Sequence, residues 1–290
     1  MLYGGFAESK PSNKGQEWVV ALPADDPISL ATILYIIHNK FSKVPDAVTR
    51  GELYRLTILT DKYDMTEVLR PWARAWVGPL ASKSRPLGQK GDEALLWIAW
   101  ELGHSSLFER TLRHVQETCI VDPKGKLLDS HGVCLADNDH MKALDIIDGT
   151  NGLLARRASR IQSLLWVMDI KVRTLATGRE AVFSSRCERE HLDSCNIWYL
   201  GSLIRSLARA GYYPVPLSVS IRCSVREFRT KLGSVCDDIR KNPISLTTCS
   251  PASELRLLLA AVGTSIELTN AQRKRLQQQA AKTGLQLQDP

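Results

Sequence analysis

The stretch from Leu154 to Val172 constrains the fold most. Leu154, Ile161, Leu164, Leu165, Met168 and Val172 recur at helical spacing with no proline or glycine between them, which predicts a helix of about seven turns over Asn151 to Ala176. A helix that long with one apolar face must bury that face against other elements, and the rest of the chain offers mainly further helices. Asp26-Pro27 supplies a cap and a first-turn proline for a helix to about Asn39 carrying Leu30, Ile33, Leu34 and Ile37. Phe41 to Ala47 interrupts it. Thr49-Arg50-Gly51-Glu52 reads as a capping box ahead of Leu53, Leu56, Leu59 and Tyr63. Asp64-Met65-Thr66-Glu67 reads as a second box, ahead of Leu69, Trp72, Ala75 and Trp76, with a kink at Arg70-Pro71.

Further helices are expected at Asp92 to Leu102, at Ser106 to Cys119 opened by a box from Ser106 to Glu109, at Leu192 to Arg209 ending at Gly211, at Ser224 to Ile239, at Ser250 to Ile266 and at Thr269 to Thr283 stopped by Gly284. Sheet is sparse: Glu17 to Pro23 reads as one short strand, and Val121 to Asp148 as a long connection with a helical turn near Met141. The chain is therefore expected to be mostly α. Residues 78–91, with Pro79, Pro86, Gly88 and several serines among basic residues, read as a linker between residues 1–77 and a larger helical region, 92–290. The last helix offers only Leu276 and Ala280 as an apolar seam beside Arg273-Lys274-Arg275 and three consecutive glutamines, so it is expected to pack loosely or to bind in trans.

The residues that could carry chemistry are few. Cys187, His191 and Cys195 are spaced four and four, so a helix would bring them near one face, and a zinc ion there would need a fourth ligand from Cys249, Cys223 or Cys236. The alternative reading has Cys195 as a small buried hydrophobe and His191 as a solvated surface residue. Asp25-Asp26 and Asp237-Asp238 are paired carboxylates, better explained as a helix cap and a solvated helix end. Trp72, Trp76, Trp97, Trp100, Trp166 and Trp198 lie within apolar helical patterns and are expected in the core, or else as interface anchors. No phosphate-binding glycine loop, zinc-protease motif or nucleophile elbow occurs, and no catalytic, cofactor or metal residue is assigned.

Charge and cysteine content narrow the setting. The net charge of +7 comes entirely from residues 200–290, which hold thirteen Lys+Arg against six Asp+Glu, while residues 1–80 and 81–199 each balance. A basic third could meet nucleic acid or acidic protein; the positive charges are spread over helices, which disfavours nucleic acid. Seven scattered cysteines do not make a secreted disulfide framework, and the apolar run Ile28 to Ile37 is half the length of a membrane span. An intracellular protein of cytoplasm or nucleus, not associated with membrane, is the expectation.

Over Trp18 to Trp76 the order of a short strand, Leu22-Pro23-Ala24-Asp25-Asp26-Pro27, a helix with Leu34-Tyr35-Ile36-Ile37-His38, then Glu52-Leu53-Tyr54 and Leu59-Thr60-Asp61-Lys62-Tyr63-Asp64-Met65 resembles the second half of a BTB/POZ domain. The likeness is closest to BTB-containing proteins common in fungi, where a similar Leu-Arg-Pro-Trp follows, as at Leu69 to Trp72 here. Leu200 to Arg205, the Pro214 region, Ser224 to Glu227 and Cys249 to Ala252 resemble the helical C-terminal portion of those proteins. The resemblance implies a protein-interaction module without catalytic residues. It implies that the chain begins inside the BTB fold, so that the usual homodimer contacts are missing, and that apolar faces covered by the missing strands are left open for a partner.

Overall fold

The computed structural model describes residues 21–137, 139–144, 146, 152–177, 192–239, 251–263 and 267–285. Those residues form eleven α-helices and one two-stranded antiparallel sheet. The chain is mostly α, and no described helix is long and apolar enough to cross a membrane.

Local signals set most helix ends. Helix α1, Pro27–Ile37, starts at Asp26, whose Oδ2 accepts from the backbone N–H and the hydroxyl of Ser29 at 2.8 and 2.7 Å. Helix α2, Arg50–Lys62, carries the full capping box: the Glu52 N–H donates to Thr49 Oγ1, and the Thr49 N–H donates to Glu52 Oε2. The second expected box does not form. Asp64 sits at φ 49°, in the left-handed region, where it closes the turn after α2 and cannot adopt the extended backbone of an N-cap. A 3-10 turn over Thr66–Leu69 then leads into α3, Arg70–Ala81, with Pro71 in its first turn.

Helix α4, Ala94–Leu102, ends at Gly103 in the left-handed conformation. That ending places His104, not Ser106, as the cap of α5, Ser105–Thr118; His104 Nδ1 accepts from the Leu107 N–H at 3.3 Å. The long connection after α5 holds the sheet that sequence patterning missed: β1, Ile120–Val121, pairs with β2, Leu127–Leu128. Strands of two residues leave no alternation to read. The expected turn near Met141 is the short helix α6, Asp139–Ala143. The strand expected from Glu17 falls outside the described residues except at 21–23, which are not strand.

The remaining helices are α7, Leu153–Thr177; α8, Leu192–Arg209; α9, Val225–Asp238, capped by Ser224; α10, Pro251–Ala261; and α11, Asn270–Thr283, with a capping box between Thr269 and Gln272 and Gly284 left-handed at its end.

Buried side chains fall into two clusters. The first combines α1 to α6, the hairpin and the start of α7 with Leu268, Leu276 and Leu285 from the far end of the chain; the second combines α7 to α10. Of the expected linker, residues 78–81 are the last turn of α3, and residues 82–91 connect α3 to α4 within the first cluster. Their path is pinned by buried Asp92, which accepts from Arg50, Arg85 and the backbone N–H groups of Gly88 and Gln89 at 2.6 to 3.0 Å. Burial opposes ionisation of Asp92, but Arg85 and the N–H groups of Gly88 and Gln89 hold its carboxyl below the usual range.

The seam between the clusters is polar. Glu117 on α5, 7% exposed, accepts from Arg160 on α7 at 2.5 Å and from Arg229 on α9 at 3.4 Å. Arg157 donates to the carbonyls of Ile221 and Cys223, and the Val121 N–H donates to the Arg222 carbonyl. Removing one member of a buried ion network strands its partners' charges. Glu117→Ala is expected to cost about 3 kcal/mol in urea unfolding, whereas Lys231→Ala, which breaks an exposed pair with Glu227, is expected to cost under about 0.5 kcal/mol.

Candidate functional site

The residues flagged for chemistry do not converge among the described residues. Cys187, His191 and Cys249 lie outside them, as does the side chain of Cys195. The described His, Cys, Asp and Glu side chains contain no group of three able to hold a metal. Cys223 is half-buried and Cys236 buried. Burial pushes the Cys236 thiol up to about 11 and that of Cys119 up to about 12, so both stay protonated at neutral pH. The paired carboxylates have structural partners. Asp26 caps α1, Asp25 pairs with Lys62 at 2.6 Å and accepts from the Tyr63 hydroxyl, Asp237 pairs with Arg256, and Asp238 accepts from Ser206 at 3.1 Å.

The tryptophans divide. Trp76 and Trp97 are buried, and Trp76 donates through Nε1 to the Pro45 carbonyl at 3.1 Å. Trp72 and Trp100 are half-buried; Trp166 on α7 is 57% exposed and Trp198 on α8 is 40% exposed, against the expectation of a core position. Their helices turn other residues inward: Leu164, Leu165 and Met168 on α7, Tyr199, Leu203 and Leu207 on α8.

Two exposed surfaces result. The first is a stripe on α1 and the turn after it. Leu30 is half-buried, and Leu34, Ile37 and Phe41 stand 44%, 45% and 53% exposed. On α1 the spacing of Leu30, Leu34 and Ile37, four and three residues, puts them on one face of the kind into which a second helix packs, and Phe41 follows on the 3-10 turn Phe41–Lys43. Phe41 lies 5.7 Å from the Trp72 ring, and Trp72 lies 6.1 Å from buried Trp76, so an aromatic column ties the stripe to the first cluster. Exposed Lys40 and Lys43 flank it. The second surface is a cavity of about 280 Å³ on α8, lined by Ile197, Trp198, Gly201, Arg205, Arg209 and, from the end of α9, Asp238, among others.

A third feature is internal. Glu101, on the last turn of α4, is fully buried beneath α11. It accepts from the Thr66 hydroxyl and from Gln279 Nε2 at 2.7 Å, and Arg275 Nη2 lies 3.5 Å away. The Thr283 hydroxyl donates to the Leu102 carbonyl at 2.7 Å, and Lys282 pairs with Asp64 at 2.8 Å. Helix α11 is thus seated in cis, against the expectation of loose packing or binding in trans, because polar Gln272, Gln279 and Thr283 share its buried face with Leu276 and Ala280. The signal available in the sequence was Glu101 itself, one acid at the end of the apolar run ALLWIAWEL. Arg275 also lies 3.6 Å from Asp61, so the basic triplet is not free as a unit.

The close approach of α11 requires a glycine at 103. An added Cβ would stand 2.1 Å from the Ala280 nitrogen and 2.6 Å from the Leu276 carbonyl oxygen, at a φ of 76°. Gly103→Ala is therefore expected to cost about 3 kcal/mol in urea unfolding, combining left-handed strain with overpacking. Burial, helped by the nearby Asp61 charge, pushes the Glu101 carboxyl up to about 7 despite the hydrogen bonds from Thr66 and Gln279 and the Arg275 charge. A carboxyl raised in the folded state favours folding while protonated. Its contribution is full below the unfolded value near 4.5 and is lost as pH rises through about 7. The wild type is expected to lose about 3 kcal/mol relative to Glu101→Gln between pH 4.5 and 7.5, read as the difference between their urea stabilities.

Comparison of the chain with protein-family models, with curated proteins and with solved structures gave no match.

Proposed function

We propose that the chain is a non-catalytic protein-binding adaptor of the BTB type, working inside the cell through the apolar stripe Leu30, Leu34, Ile37 and Phe41. The stripe is the observation that carries the reading. Leu34 and Ile37 stand about half exposed on a helix whose other face is anchored in the core through Ile33 and Ile36, and Phe41, on the 3-10 turn that follows, extends the apolar surface. The flanking Lys40 and Lys43 fit a partner helix with an apolar seam and acidic borders. The resemblance over Trp18 to Trp76 supports the same class, since it implies a protein-interaction module.

The test places a photo-reactive residue in the stripe, as Ile37→p-benzoylphenylalanine, and at Gln277 as an exposed control. Irradiation in extract is expected to cross-link one other protein from position 37. That product is expected to fall at least tenfold in a Leu34→Asp background whose melting temperature is unchanged. Cross-links no more frequent than from position 277, or unaffected by Leu34→Asp, would overturn the reading. A cross-link only to a second copy of the chain would replace the adaptor with a homodimer.

A further inference from the structure

The cavity on α8 has a different chemistry from the stripe on α1. Trp198, Ser202, Arg205 and Arg209 follow one another at four, three and four residues, which places them along one face of the helix. Ile197 is 70% exposed beside Trp198 at one end, so that end is apolar. Between the apolar and basic ends lies Gly201, where an added Cβ would meet nothing within 4 Å, so the space above it is open. At the other end Arg209 lies 3.5 Å from Asp238, which also accepts from buried Ser206 and so stands fixed at the wall. Arg205 makes no hydrogen bond or ion pair among the described residues and projects an exposed guanidinium into the cavity lining.

We propose that this cavity docks an acidic amphipathic helix from a partner protein, one that sets an aliphatic or aromatic anchor on Trp198 and Ile197 and a carboxylate on Arg205. Seven residues separate Trp198 from Arg205, about 10 Å along the helix axis, so the partner's anchor and acid stand two turns apart. An exposed guanidinium with no partner among the described residues, beside an indole, offers a bidentate carboxylate site with an adjoining apolar contact. Asp238 decides between an acidic peptide and nucleic acid. Its charge offsets that of Arg209 and leaves one uncompensated cation, which suits a single carboxylate, whereas a phosphate backbone would have to run past a fixed negative charge. The inference rests on the reading of the chain as a protein-binding adaptor but uses residues remote from the α1 stripe, so a failed test here and a failed cross-link at position 37 are distinguishable.

The experiment uses the full chain and a fluorescein-labelled, alanine-based helical peptide with two leucines at one end and two glutamates two turns away, followed by fluorescence anisotropy. A second peptide replaces the glutamates with lysines, and a labelled poly-dT oligonucleotide serves as the nucleic-acid probe. The acidic peptide is expected to bind and to lose at least tenfold in affinity to Arg205→Glu. The lysine peptide is expected to bind Arg205→Glu better than it binds wild type. Gly201→Leu fills the open space and is expected to abolish binding while melting no lower than wild type, because leucine favours a helix over glycine. The proposal is overturned by absence of saturable peptide binding up to about 1 mM, by equal affinity for wild type and Arg205→Glu, or by oligonucleotide binding that Arg205→Glu removes and the peptide does not compete.

Discussion

The buried carboxyl of Glu101 is the interaction on which the arrangement of the chain depends. A charge or a polar hydrogen taken out of water must find partners in the protein. Glu101 finds them at once on the 3-10 turn after α2, through Thr66, and on the last helix, through Gln279 and Arg275. Because Thr66 and Gln279 are separated by most of the chain, satisfying one side chain fixes where the C-terminus returns. Gly103 makes that return sterically possible, and the Thr283 bond to the Leu102 carbonyl satisfies one of the open acceptors at the end of α4. The last helix therefore closes the first cluster, although the four helices α7 to α10 intervene in sequence.

The same principle joins the two clusters. Their seam is a set of charges on α5, α7 and α9 whose cost of burial is offset only while all partners are present. Arg157 and Arg160 face the core side of α7, and Lys171, also buried, reaches Glu254 on α10 at 3.3 Å. Such contacts favour one register of the helices over others that would bury equal apolar area. They leave Leu34 and Ile37 of α1, Phe41 of the turn after it, and Trp198 and Arg205 of α8 exposed. Two surfaces of different chemistry, one on each cluster, are consistent with the adaptor role proposed above.

Much of the helical order was legible in the residues. The Arg209 end of α8, the capping box of α2, the Asp26 cap and the Gly284 stop follow from spacing and short-range hydrogen bonding alone, and the seven-turn α7 was visible from its apolar period. What depended on distant residues was not. Asp64 resembles a cap by composition, but its backbone is used for a left-handed turn and its carboxylate for Lys282. The seat of α11 was hidden because glutamine and threonine there are buried through hydrogen bonds, and a hydropathy pattern reads them as surface. Within α7, Leu154 belongs to the apolar period yet is exposed, while its neighbour Leu153 is buried. The candidate surfaces were legible only in part: the spacing of Leu30, Leu34 and Ile37 stands in the sequence, but which face of α1 meets α2 does not, and Phe41 joins them only through the turn after the helix.

Native-state hydrogen exchange along a urea series tests the central claim, the closure of the first cluster by α11, most directly. If Glu101, Gly103 and Thr283 bind α11 and α4 into one cooperative unit, the amides of residues 270–283 and 94–102 will open with a common free energy and a common denaturant dependence. Exchange of the α11 amides at near-unprotected rates while those of α4 remain protected would contradict it, and would make the last helix an appendage rather than the closing element of the fold.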